Sequence, residues 1–317
     1  MKFAIAVFAA LLMCVAASKG QASDLLRVGN AGREAFSFTP ANIGMKAGIF
    51  AKNGLRLEIS GFGGDAKLQQ AMAAGAVDVG LGSGPGMAFI VKGSPVKGIA
   101  AMAGPPLIFA LVVRSDGAVK TIDDLHGHKV GISTVGSATS WLMNEVSRQH
   151  GWGFEGLTQV PIGENSARIA ALKSGAIDAC VVDIGSALRF AQTGDGKILM
   201  RFGDVAKDFI MHVIFATDKA IAEKPAALSD FLKGWFETIA FMRQNKEQSV
   251  AIAQTIMGTD KEMTGAIYDE LMPMFLDNGH FDARALAVLS RSYVDMKILP
   301  SAPDMSKLYT EAFLPRE

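Results

Sequence analysis

Two segments of this chain, one hundred residues apart, share one pattern of residues. The first surrounds Gly75 and reads "QAMAAGAVDVGLGSG"; the second surrounds Gly175 and reads "AALKSGAIDACVVDIGS". Each has an Ala- and Leu-rich helical run, then Gly-Ala-(Val/Ile)-Asp, a short apolar run and another glycine. A glycine that ends a helix adopts a positive φ at little cost, and a short apolar run after it is typical of a buried strand. The pattern therefore predicts the same helix–strand unit twice.

The segments around both copies repeat the same order of strands and helices. Nearly the same interval separates Val28 from Val130, each in the first strand of its set, as separates the two glycines. Strands that alternate with helices predict parallel sheets with crossover helices, so the chain is expected to form two similar α/β lobes. The predicted strands are 25–30, 55–62, 76–82 and 96–104 in the first half, and 128–133, 157–162 and 176–182 in the second.

Two long extended segments join the predicted lobes. Residues 105–117 lead out of the first lobe and residues 209–220 lead back, which predicts a pair of hinge crossings. Beyond them the pattern predicts five amphipathic helices and no strand, and these helices are expected to pack on lobe one. The expected division is 24–108 with 213–317 for lobe one, and 109–212 for lobe two.

The N-terminal residues 1–22 have the pattern of a secretory signal peptide. Lys2 precedes an apolar run over 3–17, and Gly20-Gln21-Ala22 is the expected cleavage site. The alternatives are a membrane anchor, for which the run is short of the roughly 20 residues that a spanning helix needs, and a lipoprotein attached through Cys14. The bulky Met13 before that cysteine disfavours the second alternative. The mature protein is expected in the periplasm.

Composition excludes several classes of function. The whole chain balances 31 basic against 31 acidic residues and shows no basic stripe, so no nucleic-acid partner is expected. After removal of the signal, Cys180 is the single cysteine and sits in an apolar run, as a small buried residue does. The sequence contains no His-Glu-x-x-His, Gly-x-Ser-x-Gly or Walker-type phosphate loop. We therefore expect no catalytic residue, no cofactor and no metal site.

The loops that follow strands are the candidate binding region, because ligands of open α/β sheets bind beyond the carboxyl ends of the strands. Asp78 and Asp178 lie near the N-terminal ends of their strands and are expected to be structural, whereas "GSGPG" (82–86) and "DIGS" (183–186) lie at the C-terminal ends. Small and hydroxyl residues at helix starts, with their free N–H groups, suit an anionic group; ordinary helix capping is the alternative. These loops are 30–38, 61–67, 133–140 and 163–168.

Four side chains at the ends of strands or after them are candidate ligand contacts, and three of them have a second interpretation. Arg33 suits an anion or lies on the surface, and Phe36 walls an apolar part of a ligand or packs within its lobe. Glu164 and Asp183 suit the amine of a zwitterion, while Asp183 is equally suited to cap the helix that follows it. Ser137 and Thr139 add hydroxyl donors.

The sequence resembles the periplasmic substrate-binding proteins of the nitrate/sulfonate/taurine/thiamine-pyrimidine type (NMT1-like), which serve ABC importers. The similar segments follow the order of that family and cover most of 25–220. They are "GMKAGIFAKNGLRLEI" (44–59), "LQQAMAAGAVDVGL" (68–81), "GSPVKGIAAM" (93–102), "LVVRSDGAVKTIDDLHGHKVGISTVGS" (111–137) and "AALKSGAIDACVVD" (170–183).

The resemblance implies a two-lobed periplasmic-binding-protein fold of type II and a receptor that closes on a small organic anion or zwitterion. Its partners would be that solute and a membrane permease with its ATPase, and the protein is expected to be a monomer. The alternatives are a periplasmic enzyme on the same fold and a sensory protein without a transport role. Together with Phe36, the ligand-binding residues that the resemblance implies are Arg33, Gly64, Asp65, Ser83, Gly84, Ser137, Ala138, Thr139, Glu164, Asn165 and Asp183.

Overall fold

The computed structural model describes residues 24–32, 35–153 and 155–316. The signal peptide, Cys14 and Arg33 therefore lie outside the described residues. Within these ranges the chain forms ten strands in two sheets. The strands are β1 (Asp24–Asn30), β2 (Leu55–Gly61), β3 (Val79–Ser83), β4 (Val96–Ala103), β5 (Phe109–Arg114), β6 (Lys129–Ile132), β7 (Thr158–Pro161), β8 (Ala179–Asp183), β9 (Gly196–Arg201) and β10 (His212–Thr217).

Helices surround both sheets and make up the C-terminal part. They are α1 (Thr39–Lys46), α2 (Ile49–Lys52), α3 (Asp65–Ala73), α4 (Ala88–Val91), α5 (Ala138–Gln149), α6 (Asn165–Lys173), α7 (Ile184–Gln192), α8 (Asp218–Glu223), α9 (Pro225–Gln244), α10 (Lys246–Met257), α11 (Lys261–Leu271) and α12 (Ala283–Asp295). Short 3-10 turns cover Phe36–Phe38, Gly84–Met87, Asp123–Leu125, Phe202–Asp204, Met272–Met274 and Met305–Lys307.

The two sheets have corresponding strand orders, which confirms the duplicated α/β lobe. The first runs β2-β1-β3-β10-β4 and the second β7-β6-β8-β5-β9. In each, four strands run in the same direction, and the strand that is fourth in order runs antiparallel to both of its neighbours. Those antiparallel strands, β10 and β5, are the ones that the chain forms directly after crossing from the other lobe. The two predicted crossings therefore exist, as residues 104–108 and 202–211.

The repeated Gly-Ala-x-Asp segment is a structural element of each lobe. Gly75 and Gly175 end α3 and α6 with φ of 70° and 76°, which a side chain would strain. Asp78 accepts hydrogen bonds from Arg27 at 3.0 Å to the backbone nitrogen and 2.7 Å to Nη2, and from Lys224 at 3.0 Å. Asp178 accepts from the backbone nitrogen of Lys129 at 3.0 Å. Both carboxylates fasten the start of their strand to its neighbour, as predicted.

The C-terminal helices pack on lobe one, as predicted. In α9, Phe231 stacks on Phe50 at 5.4 Å between ring centroids, and Trp235 is fully buried. The fifth predicted helix, over 304–313, is wrong: only the turn Met305–Lys307 forms, and the chain then bonds to the edge of β4. There Gly98 N–H donates to the Leu308 carbonyl at 3.0 Å and its own carbonyl accepts from Thr310 at 2.8 Å. An edge strand with unpaired N–H and C=O groups has captured the segment.

Helices α11 and α12 also reach lobe two, one at each side of the crossings. Arg201, at the end of β9, forms a bidentate ion pair with Glu270 of α11. On the other side, Arg291 of α12 pairs with Glu145 of α5 at 3.1 Å, and the Trp141 indole donates to Asp295 at 3.2 Å. The lobes are thus in contact through the C-terminal helices. Over the described ranges no helix is long and apolar enough to cross a membrane.

Candidate functional site

A cavity of about 370 Å³, here called the hinge cavity, lies between the two lobes, beside the first crossing and the start of β10. That volume is in the range of small-molecule sites, which are typically about 300–1,000 Å³. The walls come from the loop after β1, the first crossing, the first residue of β10, the start of α7, and helices α10 and α11. The lining residues are Ala35, Phe36, Ser37, Phe38, Ile108, Asp183, Ile184, Gly185, Arg189, His212, Met257, Thr259, Ile267 and Leu271.

The lobe-one side of the cavity is apolar. Phe36 lies on this wall, and its ring meets Tyr268 edge to face at 5.9 Å between centroids. The 3-10 turn over Phe36–Phe38 is held by the Thr39 hydroxyl, which donates to the Phe36 carbonyl at 2.8 Å. Packing within lobe one therefore describes Phe36 in this structure, where its side chain is 2% exposed at the edge of the cavity.

The lobe-two side is polar and is organised by Asp183. This carboxylate caps α7: it accepts from the Ser186 backbone nitrogen at 2.9 Å and from the Ser186 hydroxyl at 2.6 Å. The Asn165 amide donates to its second oxygen. With these donors in place the carboxylate is engaged by its own lobe, so the capping interpretation describes this structure.

Arg189 supplies positive charge to the same wall. Its guanidinium donates to the Ser186 hydroxyl at 3.3 Å, and its side chain is exposed. Among the residues that the structure describes, no carboxylate lies within ion-pair distance of it. A guanidinium without a carboxylate partner beside an apolar wall suits an amphiphilic anion.

Asn165 is positioned by a buried arginine that sequence reasoning missed. Arg168 is 4% exposed and its guanidinium donates to the Gly163 carbonyl and to the Asn165 side-chain oxygen. Burial lowers the pKa of Arg168. Glu164, next to Asn165, is exposed and caps α6 without a side-chain hydrogen bond. The loop after β7 thus orients Asn165 toward Asp183 and leaves Glu164 outside the cavity lining.

The hydroxyl residues after β6 form a cluster of their own. Ser133, Ser137 and Thr139 lie within 2.8–2.9 Å of one another, and Ser137 also caps α5 through the Ser140 backbone nitrogen. Ala138 is the first residue of that helix. The loop adjoins a second cavity of about 760 Å³ between α5 and the end of α12. Ser137, Ala138 and Thr139, the predicted ligand-binding residues of this loop, do not line the hinge cavity.

The predicted residues after β2 and β3 brace lobe one. Asp65 accepts from the Ser83 backbone nitrogen at 2.8 Å and from its hydroxyl at 2.7 Å, and burial raises the pKa of Asp65. Gly64 has a φ of 106° and precedes α3. Gly84 touches the second crossing so closely that a Cβ there would lie 1.9 Å from the Ile210 carbonyl oxygen. This loop therefore sets the position of the crossing.

His212 is a second residue that sequence reasoning missed. It begins β10, is 4% exposed and lines the hinge cavity. Neither ring nitrogen has a hydrogen-bond partner among the residues described. Burial lowers the pKa of His212 to about 4; the Gly82 carbonyl opposes this shift but does not reach hydrogen-bond geometry with the ring. The sequence holds no local signal for this residue, because β10 joins the lobe-one sheet from 130 residues away.

Comparison with known proteins agrees with this architecture. Residues 35–249 match the family described as NMT1/THI5 like. A protein of Escherichia coli (strain K12), provisionally named an aliphatic sulfonates-binding protein, is 23% identical over 248 residues, which cover 75% of this chain and 74% of that protein. The crystal structure of the periplasmic aliphatic sulphonate binding protein SsuA from Escherichia coli is similar with a TM-score of 0.77, 18% identity, and coverage of 90% of this chain and 92% of that one.

Enzymes share the fold as well. The structure of the desulfurization enzyme DSZB is similar with a TM-score of 0.63 and 14% identity, over 92% of this chain and 97% of that one. In the present chain the one cysteine within the described ranges is Cys180, which lies in β8, is fully buried and has a pKa raised by burial to about 12. A buried, protonated thiol is inert as a nucleophile. No group of three or more His, Cys, Asp or Glu in those ranges forms a metal cluster.

Proposed function

We propose that this chain, which belongs to the NMT1/THI5-like family, is a solute-binding receptor of an ABC importer. The hinge cavity would capture a small organic anion, and the closed form would deliver it to a membrane permease with its ATPase. The observation that carries the proposal is the cavity itself, because both lobes, the first crossing and the residue that directly follows the second crossing contribute to its walls. A ligand in this place contacts every part of the protein that moves when two lobes close.

The ligand class follows from the walls. Arg189 offers a guanidinium without a carboxylate partner among the described residues, and the apolar side chains of Phe36, Ile184 and Met257 line the cavity. An organic sulfonate, with an anionic head and an apolar remainder, matches both surfaces, and sulfonate binding is in the names of both similar binding proteins. Taurine-like zwitterions and carboxylates are the other members of the proposed class.

The C-terminal helices give the closed form its contacts. Pairs Arg201–Glu270 and Arg291–Glu145 join lobe two to helices that pack on lobe one, on opposite sides of the crossings. A solute that contacts both lobes adds to these contacts and shifts the population toward the closed form. The protein would act as a monomer in the periplasm, to which the predicted signal peptide at 1–22 directs it.

The experiment is a thermal unfolding series with methanesulfonate, butanesulfonate, hexanesulfonate, taurine and butyrate. A ligand at a concentration one hundred times its Kd stabilises a protein by about 2.7 kcal/mol, which for a chain of this size raises Tm by about 4 °C. The gain should shrink in Arg189→Gln and persist in Arg284→Gln, an exposed arginine at the start of α12.

Failure of the whole series to raise Tm would contradict the receptor proposal for this ligand class. The fold shared with DSZB supplies the second candidate, an enzyme. Conversion of a sulfonate or sulfinate that is lost in Asp183→Ala, without any loss of binding, would favour that candidate.

A further inference from the structure

The histidine at the second crossing is placed for ligand contact. His212 stands at the junction of the crossing with β10 and faces the same cavity as the apolar Phe36 wall and the polar Asp183 wall. Its ring meets Phe38 edge to face at 5.0 Å between centroids. This contact fixes the plane of the imidazole against lobe one.

The two ring nitrogens are the unusual feature. Buried polar atoms in proteins are nearly always hydrogen-bonded, because burial without a partner is costly. Here both Nδ1 and Nε2 are buried without a partner among the described residues, although the ring borders a cavity large enough for a solute. A protein keeps an energetically unfavourable group of this kind where its function needs that group. A ligand in the cavity that bonds to the ring would remove the free-energy cost.

Among the described residues that line the cavity, the charged side chains come from one short segment, 183–189. Asp183 and Arg189, both at the start of or within α7, are the charged residues in the cavity lining. The loop 35–38, Ile108, Met257 and Thr259 of the α10–α11 connection, and Ile267 and Leu271 of α11 bring no ionisable side chain. Asp183 is held by Ser186 and Asn165. An anion between His212 and Arg189 would therefore meet two donors of opposite walls.

We propose that His212 is a ligand-binding residue: a ring N–H donates a hydrogen bond to an anionic oxygen of the solute, and binding increases protonation of the ring. This inference rests on the proposed function and adds a contact and a proton linkage to it. In the empty cavity the pKa of about 4 keeps the imidazole neutral, with one donor. A negative charge beside the ring favours the imidazolium, whose hydrogen bonds to an anion are roughly twice as strong as neutral ones.

The test measures Kd of the tightest-binding sulfonate of the series by titration calorimetry at pH 7 and pH 5. We expect His212→Phe to weaken binding about tenfold or more at pH 7, the equivalent of about 1.4 kcal/mol. His212→Gln keeps an N–H donor and should retain more of the affinity. The wild type should bind about three- to tenfold more tightly at pH 5 than at pH 7, and His212→Gln should lose that difference.

Two outcomes distinguish failure of the His212 inference from failure of the receptor proposal. Equal affinity of wild type and His212→Phe at both pH values overturns this inference and leaves the receptor proposal intact. Absence of binding by the wild type overturns both. If His212→Phe does not fold, calorimetry of the wild type at pH 6.0 in phosphate and in bis-Tris decides: proton uptake on binding supports the inference, and none refutes it.

Discussion

The two aspartates of the repeated segment offer a matched test of the fold, because they occupy equivalent positions in different surroundings. The Asp78 side chain is 7% exposed and bonds to Arg27 and Lys224. The Asp178 side chain is 33% exposed and bonds to the Lys129 backbone and to His128 at 3.1 Å. The same substitution at both sites, Asp78→Asn and Asp178→Asn, therefore separates the effect of a buried ion-pair cluster from that of an exposed one.

The expected magnitude follows from the pKa of Asp78. Burial raises it, but hydrogen bonds from Arg27 and then Lys224 outweigh burial and lower it from 3.8 to about 2. At 1.36 kcal/mol for each pKa unit, the carboxylate contributes about 2–3 kcal/mol to the free energy of unfolding at pH 7. Asp78→Asn should lower that free energy by about 2–3 kcal/mol. Asp178→Asn should cost less than about 1 kcal/mol, as exposed pairs do.

Urea unfolding followed by circular dichroism at pH 7 and pH 3 is the assay. Because the pKa of Asp78 is depressed in the folded state, its contribution is complete above about pH 4 and is lost as pH falls through 2. The difference between wild type and Asp78→Asn should therefore fall to about half at pH 3. Equal losses for the two variants at pH 7, or a difference that grows in acid, would refute the ion-pair account.

Three further predictions concern the crossings and the cavity. Between pH 7 and pH 4 the wild type should lose about 3 kcal/mol more unfolding free energy than His212→Gln does. The reason is that a histidine whose folded pKa is about 4 destabilises the fold as pH falls below 6.5. Parallel pH profiles of the two proteins in urea would contradict this prediction. Gly84→Ala should cost about 1–3 kcal/mol of unfolding free energy, because the added Cβ meets a backbone oxygen. In the control Gly63→Ala the added Cβ lies 3.6 Å from its nearest atom, so the cost should be under about 0.5 kcal/mol. Similar urea midpoints for the two variants would contradict this prediction. Glu145→Gln should weaken the contact between α5 and α12 by about 1–3 kcal/mol and increase the radius of gyration in small-angle scattering. The exposed Glu262→Gln is the control. An unchanged radius of gyration in Glu145→Gln would contradict the prediction.

Local sequence pattern was sufficient for the duplicated lobes. A glycine after a helix, an apolar run and a regular interval between copies are properties of adjacent residues, and Gly75 and Gly175 end their helices as predicted. The helix predicted over 304–313 failed for a non-local reason, since the edge of β4 at Gly98 binds that segment. The amphipathic spacing of a segment carries no information about a sheet edge, formed elsewhere in the chain, that can bind the same segment.

The sequence predicted which loops border the candidate site better than it predicted the individual residues. Phe36 follows β1 and Asp183 is the last residue of β8, and the structure places both on the hinge cavity, while the hydroxyl cluster after β6 adjoins another cavity. His212 follows no motif: its burial depends on a strand that returns from lobe two and on Phe38 across the sheet. Such positions are set by tertiary packing, which the sequence near them does not encode.

The measurement that tests the central proposal most directly is a crystal structure of the wild-type protein grown with butanesulfonate. We predict that the sulfonate group lies in the hinge cavity within hydrogen-bond distance of His212 and Arg189, with its alkyl chain along Phe36. A sulfonate bound in the cavity beside Ser140 and Met296, or a hinge cavity left without ligand at saturating butanesulfonate, would contradict the proposed site.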